Sequence, residues 1–498
     1  MRRATAWLAA VLMLLMPLTA VAEEGQRAPD YLMEGYDEAT HDWETNRFFQ
    51  RMQERTDIAF EFREYTDAEA WAGRKKAIAS GEDLPDVLFK AQLTAAETRD
   101  MVAAGILTDL KPYLAEYAPD LWQLLQAHPD YLEAITLPDG SIPVLPSISE
   151  LPNNDLMWIN TAWLKNLHLE MPSTADELTE VLRAFRNGDP NRNGKADEVP
   201  LTFIGMWELR FLGHAFGLYD NDYYLHAEDG VVSSGLRTDE NRQFLTWLHQ
   251  LWEEKLLDRQ GFSTMDTLRQ ITDANAAIPY GLILSNSPVT VVPSGAMSQY
   301  GVLAPLKWDG KQIYRDLLGP VTRGTFALTK NCQKPERLIA WVNFLYTHEG
   351  SLLAQVGQEG DEYFLNEDGT WDWMADLETV ANDVLPNSTL ADGGVAPGVI
   401  ELAFQQKYTD TTTTGMIAEM LKSREFTRMP MPLVFLSAED EKRIAELQSR
   451  IAPWAEQQMA AFVTGDTPIT DESWTAFTAG LESRGLDEMI GIWQKYVH

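Results

Sequence analysis

Apolar and polar positions follow two alternating periods along the first ninety residues, which predicts alternating strands and helices. Residues 31–35 and 87–89 are short apolar runs, and 58–62 alternates apolar and polar residues as a strand does. Residues 46–55 place three apolar side chains on one helical face, and a second helix is predicted over 71–80. This order is typical of a parallel sheet covered by helices.

The rest of the chain continues the α/β pattern. Helices are predicted over 161–167, 175–186 and 335–346, strands over 302–306 and 324–328, and a helical tail over 438–498. Ser173 or Thr174, followed by Glu177, is a helix start with an acidic first turn. No internal repeat or flexible linker interrupts the chain, which favours lobes joined by several short crossings.

The first residues have the order of a secretory signal peptide. Arg2 and Arg3 precede an apolar stretch over 4–18, and Ala20-Val21-Ala22 follows it. Cleavage is predicted after Ala22. The stretch is short for a membrane anchor and contains Pro17. We therefore expect a secreted or extracytoplasmic protein, in the periplasm or at the cell surface.

Size and charge narrow the class of protein further. A chain of 498 residues is expected to form at least two lobes. Its 40 basic and 75 acidic residues give a net charge of −35, which repels nucleic acids and anionic membranes. The one cysteine, Cys332, allows no disulfide within the chain, and no cysteine follows the signal peptide to carry a lipid.

Residues 189–198 predict a calcium loop. Asp189, Asn191 and Asn193 occupy alternating positions that suit Ca²⁺ ligands, and Gly194 allows the sharp turn. The remaining predicted ligands are the Lys195 carbonyl and the side chains of Asp197 and Glu198. Pro200 stands where an EF-hand has its last acidic ligand, so the loop belongs outside an EF-hand domain. The alternative is an ordinary Asn/Gly/Asp turn without metal.

Aromatic side chains are the candidate ligand contacts, because aromatic rings suit flat, apolar ligand faces. The candidates for stacking are Trp43 in the first predicted βα loop, Trp158 after a predicted lobe crossing and Trp207 after the strand that follows the calcium loop. Trp371 and Trp373 are candidate aromatic plates at the rim of a ligand cleft. Packing in the core is the alternative for each of them. No catalytic motif is apparent: G-x-S-x-G, H-E-x-x-H, the P-loop and the dinucleotide fingerprint are absent from the sequence.

An ordered set of motifs resembles the extracellular solute-binding proteins of bacterial ABC transporters, in particular the group that binds oligosaccharides and alginate. The turn at 80–87, the segment 137–146, the Trp-Leu helix with the Pro-Ser-Thr cap at 163–177, the loop 189–200 and the pieces 360–369 and 485–490 match that group in order and spacing. The family often has Ile-Arg before the Trp-Leu helix. Ile159-Asn160 stands here, so an anionic-sugar contact is missing.

The resemblance implies an α/β fold of the type II periplasmic-binding-protein class, with two lobes, a hinge and a ligand cleft between the lobes. The predicted first lobe comprises 23–147 and 302–350. The second comprises 148–301 and 351–498, including the calcium loop and the helical tail. The expected function is that of a monomer that is not an enzyme, captures a carbohydrate and delivers it to the permease subunits of an ABC importer.

Other functions remain open at this point. A secreted, calcium-stabilised glycan hydrolase or lyase is the alternative from a different class. A role in sensing and a peptide or other nutrient ligand are further alternatives.

Overall fold

The structure of the chain is a computed structural model that describes residues 28–38, 42–149, 151, 155–263, 269–367, 370–405 and 411–497. The predicted signal peptide and its cleavage site after Ala22 lie outside these residues. In this part of the chain, no helix is long and apolar enough to span a bilayer.

The strands are short and spread over the whole chain. In chain order they are β1 Tyr31–Tyr36, β2 Phe60–Tyr65, β3 Val87–Phe89, β4 Leu145–Ser149, β5 Leu156–Asn160, β6 Val199–Thr202, β7 Leu225–Glu228, β8 Val231–Ser234, β9 Tyr280–Ser285, β10 Tyr300–Val302, β11 Tyr314–Arg315, β12 Val321–Leu328, β13 Tyr363–Leu365, β14 Trp371–Trp373, β15 Gly398–Ile400 and β16 Thr427–Arg428.

The α-helices lie between the strands and in a tail. In chain order they are α1 Arg47–Thr56, α2 Ala68–Ala79, α3 Ala95–Ala103, α4 Lys111–Tyr117, α5 Pro119–Ala127, α6 Pro129–Ile135, α7 Thr161–Leu167, α8 Ala175–Asn187, α9 Gly205–Leu209, α10 Asp239–Glu253, α11 Pro335–Asn343, α12 His348–Gln355, α13 Leu377–Thr379, α14 Leu385–Ser388, α15 Leu402–Gln405, α16 Thr411–Leu421, α17 Ala438–Thr464, α18 Asp471–Ser483 and α19 Leu486–Trp493.

Local capping explains where several of these helices begin. Asn46 accepts a hydrogen bond from the Phe48 amide at the start of α1. The Thr174 hydroxyl accepts one from the Glu177 amide at the start of α8, which confirms the predicted helix start. Such side chains satisfy amides that have no partner inside the helix.

A six-stranded sheet forms the first lobe, in the order β15-β4-β12-β3-β1-β2. Strands β1, β2 and β3 are parallel, β12 is antiparallel to both β3 and β4, and β15 is parallel to β4. All three residues of β3 are buried, as expected for a strand covered on both faces. Gly35 is required in β1, because a Cβ there would lie 1.7 Å from the Phe89 carbonyl oxygen.

A four-stranded sheet, in the order β10-β5-β9-β6, forms the second lobe. Strands β6 and β9 are parallel, while β5 is antiparallel to both β9 and β10. The tail helices α17, α18 and α19 pack into the same hydrophobic core as this sheet. The two lobes therefore have separate cores, each built on its own sheet.

The connections between the sheets decide which edges face each other. The chain leaves β4 at Ser149 and enters β5 at Leu156, and it leaves β10 at Val302 and reaches β12 at Val321. These positions lie at the carboxyl edge of each sheet, where most strands end. The two carboxyl edges therefore face each other across the crossings, and the predicted two-lobed α/β fold with an interlobe cleft is confirmed.

The strand pairing differs from the predicted lobe limits at two places. Strand β10, which includes Val302, belongs to the four-stranded sheet. Strand β15, at 398–400, pairs with β4 in the six-stranded sheet, although 351–498 was assigned to the other lobe. Both differences have one cause: strand pairing across long sequence distances leaves no local pattern in the sequence.

Candidate ligand-binding cleft

The carboxyl edge of the first-lobe sheet carries a fully buried ion pair. Lys90 directly follows β3, and its Nζ lies 2.7 Å from Oδ2 of Asp37, which directly follows β1. Neither side chain has exposed surface. Burial lowers the pKa of Lys90, while the Asp37 carboxylate opposes that shift. We take the pair as ionised, since a charged lysine satisfies the buried carboxylate.

Three further groups hold this ion pair in place. The Trp43 indole Nε1 donates a hydrogen bond to Asp37 Oδ2 at 2.8 Å, and the Gly394 amide donates to Oδ1 at 3.3 Å. Lys90 Nζ also donates to the Asp392 carbonyl oxygen at 2.8 Å. The network therefore ties the ends of two strands to the loop that contains Asp392 and Gly394.

The backbone beside the ion pair is strained. Lys90 and Gln92 adopt left-handed conformations with φ of 48° and 50°. Such conformations cost energy in residues other than glycine and are concentrated at functional sites. Gln92 is half-buried at the cleft edge and carries an amide that can both donate and accept hydrogen bonds. It is a candidate ligand contact.

The glycine loop at 392–395 lies against these strand ends. A Cβ on Gly394 would lie 2.7 Å from the Tyr36 carbonyl oxygen and 3.1 Å from Gln92 Nε2. Only glycine allows this close approach, so the loop presents its backbone at the edge of the first lobe.

The facing edge of the second lobe carries Trp207. This residue lies in α9, just after β6, and 43% of its surface is exposed. The Arg315 guanidinium donates to the Trp207 carbonyl oxygen at 3.3 Å. Asp220 Oδ1 accepts from Arg315 Nη1 at 3.1 Å and from Arg210 Nη2 at 2.8 Å. Trp207 is thus an exposed aromatic face above a buried ionic cluster.

Trp43 and Trp158 lie in the hydrophobic cores. Neither has exposed surface. Their indole N–H groups donate to Asp37 Oδ2 and to the Ser285 carbonyl oxygen. This packing does not support the prediction that they stack on a ligand, because their faces are covered by other side chains.

Trp371 and Trp373 form part of a small hairpin in the first lobe. Their rings are perpendicular, with centroids 5.0 Å apart. Trp371 is buried with Val356 and Tyr363, and Trp373 is half-buried. Their predicted role as aromatic plates at the rim of the cleft stays a prediction.

The predicted calcium loop lies between α8 and β6, at the end of the second-lobe sheet that is remote from the cleft. Asp189 Oδ1 accepts from the Asn193 amide at 3.0 Å, and Asp189 Oδ2 from the Gly194 amide at 3.1 Å. Asn191 Oδ1 accepts from the Asn193 amide at 3.1 Å, and Asn193 Oδ1 from the Lys195 amide at 2.8 Å. The side-chain oxygens at positions 1, 3 and 5 are therefore directed into the loop.

One carboxylate oxygen of this loop lacks a hydrogen-bond partner. Glu198 Oε1 is buried and has no hydrogen-bond partner. Burial raises the pKa of Glu198, and the nearby Asp197 and Asp189 carboxylates raise it further. A cation would relieve both effects, so these residues fit Ca²⁺. In the described part of the chain, no three His, Cys, Asp or Glu side chains gather as a metal site. The predicted set depends also on the Asn191 and Asn193 amides and the Lys195 carbonyl.

Glu64, in β2, is a carboxyl with a perturbed pKa at the cleft edge. Its Oε1 accepts the Trp43 amide at 2.8 Å. Burial raises the pKa of Glu64 to about 7, against the effect of that hydrogen bond, and the neighbouring Asp42 and Asp37 carboxylates raise it as well. Glu64 therefore titrates near neutral pH.

Sequence reasoning missed Asp37, Lys90, Gln92 and Gly394. A signal was available, because polar residues directly follow two short apolar strands and adjacent parallel strands end at one edge of a sheet. The approach of Gly394 to these residues has no local signal, because it depends on a contact between distant parts of the chain.

The chain is similar to known binding proteins over almost its whole length. It is 27% identical to the fructooligosaccharide ABC transporter substrate-binding protein FusA of Streptococcus pneumoniae, covering 94% of this chain and 93% of FusA. The polygalacturonan/rhamnogalacturonan-binding protein YtcQ of Bacillus subtilis is 22% identical over 61% of this chain and 62% of its own.

Solved structures share the fold of the chain. FusA of S. pneumoniae in complex with kestose superposes with a TM-score of 0.67 and 25% identity, over 94% of this chain and 98% of FusA. A second FusA structure, of an EF-hand mutant with fructo-nystose, gives 0.67 and 24% over the same shares. An HMO-binding, ABC-transporter-associated solute-binding protein of Bifidobacterium longum infantis gives 0.74 and 22%, over 94% and 98%.

The family profile described as "Bacterial extracellular solute-binding protein" matches residues 37–351. That match runs from the ion-paired Asp37, at the carboxyl edge of the first-lobe sheet, through both crossings of the hinge. The chain belongs to the bacterial extracellular solute-binding proteins.

Proposed function

We propose that this protein is the substrate-binding component of an ABC importer and captures a neutral oligosaccharide by closing its two lobes. One observation carries the proposal: two sheets turn their carboxyl edges towards each other across the crossing segments. Ligands of open α/β sheets bind at such edges, and hinged lobes close around them. FusA, which binds fructooligosaccharides, is similar over 94% of this chain.

The edges offer the two kinds of group that a saccharide needs. Trp207 provides an exposed ring for a C–H face, while the Gln92 amide and the backbone of the glycine loop provide hydrogen bonds for hydroxyl groups. Trp207 lies on one lobe and Gln92 on the other, so a bound oligosaccharide gains both sets of contacts only when the lobes approach each other.

The charges at the edges favour a neutral ligand. Lys90 is buried and paired with Asp37, and both Arg210 and Arg315 are buried against Asp220. A uronate would have to compete with these carboxylates for the three cations, inside a chain of net charge −35. Asn160, at the position where the family often has arginine, is also buried.

The loop 189–198 would hold one Ca²⁺ through Asp189, Asn191, Asn193, the Lys195 carbonyl, Asp197 and Glu198. The bound ion would offset two of the three negative charges of the carboxylates and fix the connection between α8 and β6. The buried, unpartnered Glu198 Oε1 supports this role. The EF-hand named for the similar protein FusA points the same way.

The proposed function requires the protein to act outside the cytoplasm, close to the membrane. Export would depend on the signal peptide, with cleavage after Ala22, and the mature monomer would deliver its ligand to membrane permease subunits. The protein would bind the saccharide without breaking it.

Isothermal titration calorimetry of the mature chain with calcium tests the function. The panel contains kestose and longer fructooligosaccharides, neutral milk oligosaccharides, and oligogalacturonides as an acidic control. We expect saturable binding of one neutral class, and chromatography should recover the ligand intact. Binding restricted to oligogalacturonides would refute the neutral assignment. Breakdown of the ligand over many turnovers would instead identify a glycan hydrolase or lyase.

A further inference from the structure

The Asp37–Lys90 ion pair is completely buried, where charged groups are destabilised, and it lies at the edge where the ligand is expected. Burying two charges removes their hydration, a cost that their attraction often does not offset, and apolar replacements of such pairs are often no less stable. Stability alone therefore gives a weak reason for this pair. Its position, at the carboxyl ends of two adjacent parallel strands, suggests a role at the cleft.

The lysine acts as a bridge between two segments that are distant in sequence. Its Nζ joins Asp37 at the end of β1 to the Asp392 carbonyl of the glycine loop, at 2.7 and 2.8 Å. Asp37 in turn accepts the Gly394 amide at 3.3 Å. These bonds fix the two peptide units on either side of Gly393, one through the Asp392 carbonyl and one through the Gly394 amide.

Lys90 also belongs to the strained backbone segment that carries Gln92. Lys90 has a left-handed φ of 48°, as does Gln92 with 50°, and the Ala91 and Leu93 amides donate to the Thr325 and Gly324 carbonyls of β12. The Gln92 side chain lies against Gly394, where a Cβ would be 3.1 Å from its Nε2. Movement of the glycine loop would therefore remove the surface against which the Gln92 side chain packs.

We propose that Lys90 is a positioning residue: by bridging Asp37 and the Asp392 carbonyl it holds the glycine loop and Gln92 in the geometry that binds the ligand. This inference rests on the proposed function, because the affected property is affinity for the saccharide. Lys90 itself does not touch the ligand, since its side chain has no exposed surface.

Two variants separate positioning from stability. Lys90→Met leaves Asp37 buried without its cation, so it loses stability as well as affinity. The double variant Asp37→Asn/Lys90→Met removes both charges and keeps an oxygen for the Trp43 indole. We expect the double variant to recover most of the lost thermal stability while its affinity stays at least tenfold below that of the wild type. A purely structural pair would recover affinity together with stability, and that result would overturn the proposal.

Arg74→Met is the matched control. Arg74 forms a bidentate ion pair with the buried Glu34 of the same strand β1, at 2.8 and 3.1 Å. It also bonds the carbonyls of Glu82 and Asp83, which precede β3, so it lies towards the opposite end of the sheet from Lys90. This variant should lose stability and keep the affinity of the wild type. A tenfold loss of affinity here would mean that any buried charge in this lobe affects binding, which contradicts a specific role of Lys90.

Hydrogen–deuterium exchange of the ligand-free proteins gives a second test that needs no saccharide. Amides of residues 392–395 should exchange faster in the double variant than in the wild type, and Arg74→Met should leave them unchanged. Equal exchange in the double variant and the wild type would overturn the proposal. If the wild type binds no saccharide, the proposed function fails, while the exchange data still decide whether Lys90 holds the loop.

Discussion

Glu64 makes the stability of the first lobe depend on pH near neutrality. Burial raises its pKa from the ordinary value of 4.5 to about 7. The folded state therefore holds a proton that the unfolded chain has already lost above pH 4.5. The stabilisation is complete below that pH and is lost as the pH rises through about 7.

We predict that Glu64→Gln flattens this decline between about pH 4.5 and about pH 7, because the amide keeps an acceptor for the Trp43 amide and cannot ionise. Urea unfolding across pH 4.5 to 8 measures the effect. Glu61→Gln, an exposed position on the same strand, is the control and should keep the wild-type slope. The same slope in Glu64→Gln and the wild type would contradict the assignment.

Trp207 is the tryptophan on which the binding proposal depends. We predict that Trp207→Ala weakens saccharide binding about tenfold or more, since one stacked ring contributes roughly 1 kcal/mol beyond the area that it buries. The thermal midpoint should change little, because 43% of the side chain is exposed. Met171→Ala, with an equal exposed fraction in the same lobe, is the control. Calorimetry with the identified ligand decides; unchanged affinity would exclude Trp207 from the site.

Residue type alone did not separate the tryptophans of the site from those of the core. Trp43 and Trp207 both follow a strand, yet Trp43 is completely buried against other aromatic rings, and its indole N–H donates to the buried Asp37. Asp37 is in turn held by its ion pair with Lys90, which lies 53 residues after Asp37 in the chain. The sequence therefore predicted a set of candidate tryptophans, while tertiary packing decides which of them is accessible.

At the scale of elements, the loop 189–198 is where a ligand other than the saccharide would act. We predict that Ca²⁺ raises the thermal midpoint of the wild type and that Asp189→Ala abolishes this rise. An ion present at a hundredfold excess over its Kd adds about 2.7 kcal/mol to the folded state. Asp466→Ala, in an exposed turn of the tail, is the control and should keep the response to calcium. Equal midpoints of the wild type with calcium and with chelator would refute the site.

Local patterns predicted elements better than they predicted sheets. The predicted helices at 46–55 and 175–186 lie within two residues of α1 and α8, because capping side chains and an apolar face define both from nearby sequence. The strand predicted at 58–62 instead spans Phe60–Tyr65, since pairing with β1 continues to its end. The place of β15 beside β4 had no signal in either strand.

At the scale of the whole molecule, the lobes are joined by crossings rather than by one flexible linker. Besides the two crossings that join the sheets, the segment 429–437 contacts the first lobe. Phe435 is buried there, and Arg323 donates to the Val434 carbonyl at 3.0 Å. Several short connections restrict the lobes to a hinge motion, which is the motion that the cleft requires.

We predict that the ligand found by calorimetry lowers the radius of gyration in small-angle scattering, because bound saccharide contacts both edges and favours the closed arrangement. A saccharide from the same panel that does not bind is the control and should leave the scattering curve unchanged. An unaltered radius of gyration at saturating ligand would mean that binding needs no closure.

The strand order of the six-stranded sheet has a consequence for the way the protein is made. Two of its strands, β12 and β15, come from beyond residue 320, and the sheet is complete only when Ile400 is available. At roughly 5–20 residues per second, synthesis up to that point takes on the order of tens of seconds. During this time the amino-terminal segment lacks residues that later pack into its hydrophobic core, such as Trp341. The first lobe therefore cannot complete its sheet until most of the chain has been synthesised, and such late folding is what the proposed export would require.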